Sequence, residues 1–369
     1  MRVLQFGKFY PPDIGGIEVV IEDLTIALNT NGIKCDVLCS NSKKEYKEEI
    51  LPCGAKIMRC ASFGKLASTS ISPQMIFKLK EIIDNYDIIH MHLPDPMANV
   101  ALLLANYKNK KIIIHWHSDI IRQKNLLKIY TPLLTKLLKI ADCIIGTTQK
   151  YIDESSFLKS FSDKCIDIPI GVDKQSLLNK NINKDSIIQF PKNKKVIFSL
   201  GRLALNKGFE YLIESAKYLD DDYVVYIGGS GALKENLESL IQQNNLNNKV
   251  FLIGKVSRHN LQHYYSNCHI FVLPSIQESY GIVLIEAMSF KKPVICTKLF
   301  PSGNDWINQN NKTGLVVESK DSKAIACAIK KIESNYEFYA NNAYQRYLSE
   351  FTQDKMINSI INLYNKLLQ

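Results

Sequence analysis

The sequence predicts an α/β protein of two doubly wound domains, and three observations carry that expectation. Apolar runs of roughly four to six residues recur along the chain, as parallel strands buried on both faces require. Stretches with helical periodicity separate these runs. The alternation breaks once, at a polar segment, and then restarts with similar spacing. The length of 369 residues agrees. A chain of that size is too long for one ordinary core and suits two domains of roughly 170 residues each.

The first strand is Val3-Leu4-Gln5-Phe6, followed by a loop and then "EVVIEDLTIALNTNG". There Val19, Leu24, Ile26, Ala27 and Leu28 fall at helical spacing and Gly32 closes the helix. "KCDVLCS", "DIIHMH", "KIIIHWH" and "DCIIGTT" are further strands, with helices expected over 74–85 and 126–140. After "CIDIPIGVD" comes the Asn- and Lys-rich stretch 174–195, which has little periodicity and reads as a linker. The first domain is therefore 1–173. Strands then resume at "VIFSLG", "YVVYIGG", "VFLIG", "IFVLP", "PVICT" and "GLVVE", giving a second domain over 196–350. A last helix, within 351–369, carries Met356, Ile360, Ile361, Leu363, Tyr364 and Leu367 on one stripe. Ligands of such sheets sit outside the carboxyl ends of the strands, so two facing sheets would make a cleft.

Apolar residues make up 46% and charged residues 22%, the composition of a globular protein. No apolar run approaches the ~20 residues a membrane span needs. The N-terminus enters a strand directly, without signal-peptide architecture. Nine cysteines, odd in number and without a CxxC pair, read as reduced thiols of a cytoplasmic protein, with neither a disulfide framework nor a zinc site. The net charge of +10 admits nucleic acid, an anionic membrane face or a phosphorylated substrate as partner. Nucleic acid is set aside, because no zinc-finger spacing, aromatic RNA-binding signature or long basic block is present.

Three segments of the second domain carry chemistry. "SLGRLALNKGFEYLI" places Arg202 after a strand and Lys207 five residues on, with Gly208 opening a helix. Guanidinium, ammonium and helix dipole there suit a diphosphate, although an ordinary basic turn has the same composition. "YIGGSGALKENL" is a strand, a Gly229–Gly231 turn and a helix, consistent with close ligand approach or simply with a tight connection. "IFVLPSIQESYGIVLIEAM" runs strand, loop, helix, with Glu278 in the loop and the helix starting near Ser279 to Gly281. The N–H groups of Gly281, Ile282 and Val283 would then face an anion or hydroxyl oxygens. Glu286 lies farther along that helix, and a carboxylate there is a strong acceptor for vicinal hydroxyls. A helix with one acid at its start and one on its surface explains the same residues.

Glu278, seven residues, then Glu286, with Tyr-Gly after the first and Ala-Met after the second, resembles the E-x7-E signature of retaining GT-B glycosyltransferases of family 4 (group 1). "GRLALNKG" resembles the diphosphate-binding Arg and Lys of that family, and "GSGALKENL" its Gly-x-Gly turn. "FYPPDIGGIE" resembles its first glycine loop and "IIIHWHSDIIRQK" its His-bearing strand end. The last helix resembles the segment that crosses back onto the first domain. The matches run in family order over nearly the whole chain.

The resemblance implies a GT-B fold, two Rossmann-like domains facing across a cleft: an acceptor-binding domain and a nucleotide-sugar domain. Arg202 and Lys207 would hold the diphosphate, with the Gly229 turn beside them, and Glu286 the ribose hydroxyls. Glu278 and the Gly281–Val283 backbone would hold the donor sugar. Gly16 would let the first loop approach phosphate and acceptor, with Gly15 on the acceptor side. Lys255 and Val256 would meet the base. His117 would sit near the reacting sugar, with His92 lining the acceptor side and His90 and His115 facing the core. The implied reaction is retaining transfer of a hexosyl group, without metal or other cofactor, from a nucleotide-diphosphate sugar (GDP-mannose over UDP-hexose) to a lipid-linked or oligosaccharide acceptor in bacterial O-antigen, lipopolysaccharide or capsule synthesis.

Arg122, Lys124, Lys128, Lys136 and Lys139 stand among leucines over 120–140. That segment suits docking on an anionic membrane at the inner face of the cytoplasmic membrane, or a core helix with a solvated basic face. Asp220-Asp221-Asp222 contains the D-x-D of metal-dependent glycosyltransferases, but it precedes its strand and reads as a solvated turn. A nucleotide-sugar epimerase or a phosphorylase of similar fold is the alternative activity. A nicotinamide site is not expected, since "GKFYPPDIGG" after the first strand does not match G-x-G-x-x-G.

Overall fold

The computed structural model describes residues 1–13, 15–66, 69–120, 124–178 and 187–369. They form two compact units, one comprising Met1–Ile170 with Met356–Gln369, the other Gly171–Lys355.

The strands of the first unit are β1 (Arg2–Phe6), β2 (Lys34–Ser40), β3 (Lys47–Ile50), β4 (Lys56–Cys60), β5 (Lys65–Leu66), β6 (Thr69–Ser70), β7 (Ile88–Leu93), β8 (Lys111–Trp116), β9 (Cys143–Gly146) and β10 (Cys165–Asp167). Eight of them make one sheet in the order β10-β9-β8-β7-β1-β2-β4-β3, parallel except for the β3–β4 pair. β3, β4 and the small β5–β6 pair are additions to the strands expected from the sequence. β3 is a charged, largely exposed edge strand, "KEEI", with no buried apolar run to betray it. β7 and β8 are buried along nearly their full length, because helices cover both faces of the sheet. One face packs on helices Gln74–Ile82, Pro96–Leu103 and the second half of Lys124–Ile140 through Met75, Leu79, Ala98, Leu102, Leu134 and Leu137. Helix Gly16–Thr30 buries Ile21, Leu24 and Leu28, and Gly32, at φ 76°, follows its end.

The second unit holds β11 (Lys195–Leu200), β12 (Tyr223–Gly228), β13 (Val250–Leu252), β14 (Ile270–Leu273), β15 (Val294–Lys298) and β16 (Gly314–Glu318). The sheet is wholly parallel, in the order β13-β12-β11-β14-β15-β16. This is doubly wound topology, in which the order of strand addition reverses between β11 and β14. The loops after those two strands flank the crevice where such sheets take ligands. In the first unit the equivalent reversal lies between β1 and β7.

The boundaries differ in detail from those the sequence suggests. The second unit begins at Gly171, and the described parts of 174–195 belong to it. Lys174–Leu177 is a single helical turn capped by the Asp173 carboxylate. Phe190 packs on Tyr226, with ring centroids 4.6 Å apart, and Ile188 N–H donates to the Tyr264 hydroxyl at 3.2 Å. These apolar side chains make the end of that stretch part of the domain. Residues 179–186, also in the expected linker, lie outside the described residues, as does Arg122.

The chain enters the second unit at Gly171 and leaves it after Lys355. These two crossings run side by side. Val172 N–H donates to the Phe351 carbonyl at 2.8 Å, and the Tyr347 hydroxyl donates to the Val172 carbonyl at 3.1 Å. A Cβ on Gly171 would come within 2.4 Å of the Thr352 carbonyl oxygen. The final helix, Gln353–Leu368, buries Met356, Ile357, Ile360, Leu363 and Tyr364, and its residues from Met356 onward belong to the first unit.

Candidate active site

The loops after β11 and β14 are tied together by their backbones. Asn206 carbonyl accepts from Ile276 N–H at 2.9 Å and Gln277 N–H at 3.1 Å. Gly208, at φ 63°, passes so close to Pro274 that a Cβ would meet its carbonyl oxygen at 2.3 Å. This docking brings Lys207 to Glu278, and the ammonium and carboxylate form a hydrogen-bonded ion pair. Both side chains keep less than a fifth of their surface exposed. Arg202, after β11, is exposed and has no ion pair among the described residues.

The helix after the Glu278 loop runs Ile282–Ser289, with Gly281 as N-cap at φ 80°. No side chain caps it, so the N–H groups of Ile282 and Val283 have no capping acceptor. A Cβ on Gly281 would lie 2.8 Å from Asn304 Oδ1. Asn304 is fully buried, and neither its Oδ1 nor its Nδ2 has a hydrogen-bond partner. The arrangement is an uncapped, positively poled helix end with an unpaired carboxamide beside it.

Glu286 occupies the fifth position of that helix and is buried, 7% exposed. Its Oε2 accepts from the Tyr265 hydroxyl at 2.6 Å. Burial pushes the Glu286 carboxyl up from its ordinary range, against the opposing pull of the Tyr265 hydrogen bond and the Arg258 charge.

The glycine turn after β12 has a structural reason of its own. A Cβ on Gly229, at φ 147°, would fall 1.8 Å from the Gly201 carbonyl oxygen, and one on Gly231 2.3 Å from that of Leu203. Both glycines let this turn cross the loop that carries Arg202. Lys255 follows Gly254 and is exposed, and Val256 packs toward Gly228. Asp220 and Asp221 stand at the opposite, amino end of β12 and pair with Lys330 at 3.4 Å and Lys249 at 3.6 Å.

In the first unit, the carboxyl ends of β1, β7 and β8 gather Gly15, Gly16, His92 and His117. Gly15 is the N-cap of helix Gly16–Thr30, in extended conformation. The loop after β8 is held by Asp119, whose Oδ1 accepts from Trp116 Nε1 at 2.9 Å and Ser155 Oγ at 2.7 Å. Asp95 caps helix Pro96–Leu103, and burial pushes its carboxyl up to about 6.

Register puts all four histidines on one face, since His92 in β7 lies opposite His115 in β8. His92 Nδ1 is 2.9 Å from His117 Nε2, and His92 Nε2 is 2.7 Å from Gln5 Oε1. Tyr364 on the last helix meets His90 Nδ1 at 2.6 Å, and His90 Nε2 lies 3.3 Å from His115 Nδ1. All four rings are buried, which holds them neutral by lowering their pKa values. His90, His92 and His115 each bring a ring nitrogen within 4.8 Å of the others.

Two family models match the chain: "Glycosyltransferase Family 4" over residues 14–176 and "Glycosyl transferases group 1" over 181–348. The O-antigen chain mannosyltransferase C of Escherichia coli is 31% identical over 380 aligned residues, covering 100% of this chain and 99% of that one. The chain belongs to the group 1, family 4 glycosyltransferases. This glycosyltransferase is also 29% identical to the D-rhamnosyltransferase WbpZ of Pseudomonas aeruginosa, over 95% of its own length and 92% of the relative's. Its fold matches sucrose-phosphate synthase from Thermosynechococcus elongatus, with a TM-score of 0.82 at 20% identity over 100% and 99% of the two chains. It matches Anabaena HepE, solved with UDP, with a TM-score of 0.79 at 17% identity over 99% and 100%. The expected GT-B architecture of two Rossmann-like domains is thereby met.

Several neighbours of the glycosyltransferase's candidate residues escaped the sequence reading. Asn304 and Tyr265 come from distant segments, and neither lies in a recognisable motif. Gln5 had a signal, being a polar residue inside the buried strand "RVLQF". Tyr364 was visible only as one more member of an apolar stripe.

Proposed function

We propose that this glycosyltransferase transfers a hexosyl group, with retention, from a nucleotide-diphosphate sugar to a lipid-linked or oligosaccharide acceptor in bacterial surface polysaccharide synthesis. GDP-mannose is favoured over UDP-hexose, and the mannosyltransferase relative supports mannose as the sugar. A relative in Campylobacter jejuni acts on a diphospho-undecaprenol-linked sugar, which supports a lipid-linked acceptor.

One observation carries the reading. Where the strand order of the second sheet reverses, Lys207 pairs with Glu278 just ahead of the uncapped start of helix Ile282–Ser289, and Arg202 is exposed on the same loop as Lys207. In the reaction the bond from the anomeric carbon to the diphosphate breaks and one to the acceptor oxygen forms, and the acceptor proton leaves with the diphosphate. Arg202, Lys207 and the helix N-terminus stabilise the departing negative charge without a metal ion. Glu286 takes the ribose hydroxyls, Glu278 with the Gly281–Val283 backbone the donor sugar, and Lys255 with Val256 the base. Gly229 shapes the loop that presents Arg202. In the first unit, Gly16 lets its loop approach phosphate and acceptor, Gly15 and His92 serve the acceptor, and His117 the reacting sugar. Attack from the face the diphosphate leaves makes a protein nucleophile unnecessary.

A peripheral position at the inner membrane face is supported by helix Lys124–Ile140. Its second half buries Leu134, Leu137 and Leu138, whereas Leu126 and Ile129 of the first half are exposed at 48% and 79% beside Lys128. No helix among the described residues is long and apolar enough to cross a membrane.

The test is transfer from a panel of GDP- and UDP-hexoses to a polyprenyl-diphosphate saccharide, with and without EDTA, and the anomeric configuration of the product read by NMR. The expected result is an axial-to-axial product from GDP-mannose that survives EDTA. Inversion, strict EDTA sensitivity or hydrolysis without transfer would overturn the proposal.

A further inference from the structure

The buried histidines form one hydrogen-bonded chain, and its direction can be worked out atom by atom. Each neutral imidazole carries a single N–H proton. The carbonyl oxygen of Gln5 can only accept, so His92 bears its proton on Nε2. His92 Nδ1 is then an acceptor, and the facing His117 Nε2 must donate to it. On the other side the Gln5 amide N–H donates to the Tyr364 hydroxyl at 3.4 Å. That hydroxyl donates to His90 Nδ1, leaving the His90 proton on Nε2 to face His115 Nδ1. The chain ends at His115 Nε2, buried without a partner.

We propose that this chain fixes His117 as the Nε2–H tautomer, with Gln5 and Tyr364 as its positioning residues. His117 Nδ1, which has no hydrogen-bond partner among the described residues, is then a lone-pair acceptor, suited to a hydroxyl and unable to donate. Reversing every bond would move that proton to Nδ1, but only if the Gln5 amide turned over. In the structure the amide turns its oxygen to His92 and its N–H to Tyr364. The same pairing argues against a metal at His90, His92 and His115. Six ring nitrogens of the four histidines are already committed to hydrogen bonds, and an ion held there would take one of these from His90 and one from His92, with only His115 Nε2 free to ligate.

The tautomer assignment stands on these bonds alone. Its effect on turnover rests on the proposed role of His117 at the reacting sugar. The experiment is nitrogen NMR on the full chain with 15N-labelled histidine, His117 being assigned by loss of its signals in His117→Gln. Wild type should show Nε2 of His117 as N–H and Nδ1 as bare nitrogen. Gln5→Met should shift His117 to a mixture of tautomers, and Gln5→Glu, which retains an accepting oxygen toward His92, should restore the wild-type pattern. Tyr364→Phe, which releases the amide, is the second variant if Gln5→Met does not fold, and should also give a mixture. In parallel, kcat should fall on the order of 10- to 100-fold in the mixed-tautomer variants, with KM for the nucleotide sugar little changed. An Nδ1–H proton in wild type, an unaltered His117 spectrum in folded Gln5→Met, or one equivalent of metal on the purified chain would each overturn the proposal. A tautomer shift without change in kcat would uphold the chain and remove His117 from the proposed reaction.

Discussion

Lys207 and Glu278 are ion-paired between loops that follow neighbouring strands of one sheet, so the chief candidate cation for a diphosphate is partly neutralised by its own acid. Lys207→Met should lower kcat by on the order of 100- to 1,000-fold, about 3 kcal/mol of barrier, as expected for loss of one preorganised charge. Glu278→Gln should do the opposite to product binding. With the ammonium released, free GDP or UDP should bind more tightly in calorimetric titration while turnover falls. Weaker nucleotide binding in Glu278→Gln would contradict this account.

Glu286 makes stability depend on pH. Its folded-state pKa lies above the ordinary 4.5, because burial disfavours the carboxylate. Above pH 4.5 the unfolded chain has lost this proton while the folded chain keeps it, so stability falls as pH climbs through the folded value and then levels off. Glu286→Gln should flatten that slope and melt higher at neutral pH, while losing nucleotide-sugar binding. Tyr265→Phe removes the hydrogen bond to the carboxylate, should carry the decline to higher pH and cost about 1.5–3 kcal/mol where Glu286 is ionised. Melting temperatures between pH 4.5 and 8 would check both.

Gly281 cannot be replaced cheaply. Alanine there would occupy the left-handed region, at a cost of about 1–2 kcal/mol, and press on Asn304 Oδ1. We expect Gly281→Ala to melt lower and to bind the donor more weakly. Asn304→Ala, which removes the crowded oxygen, should recover part of the melting temperature in the double variant.

Leu126 and Ile129 offer a test of the membrane reading. Replacing both with Ser should weaken sedimentation with vesicles rich in anionic lipid and leave the melting temperature within about 1 °C, since exposed substitutions change stability little. Undiminished vesicle binding would place any membrane contact elsewhere.

Much of the candidate site was legible because it is built from contiguous loop-and-helix segments. Arg202 to Lys207 and Glu278 to Glu286 each sit on one strand–loop–helix unit, where spacing along the chain translates directly into position. The strands were legible for the same local reason, as continuous apolar runs. What escaped depends on pairing at long range. Tyr364 reaches His90 across 274 positions of sequence, and Asn304 meets Gly281 only through the packing of a separate loop. The glycines after β12 illustrate a subtler gap: their composition fits ligand approach, while the close neighbour is the backbone of residues 201–203. β3 was missed because an exposed charged edge has no hydrophobic signature.

Because the entry and exit crossings at Val172 and Phe351 are laced to one another, the 171–355 segment amounts to a cassette whose two cut ends are already clasped. Excised as an independent polypeptide, it should fold without its host and still titrate with nucleotide. The same clasp marks where a cassette from a relative with different base preference could be spliced in without leaving loose ends.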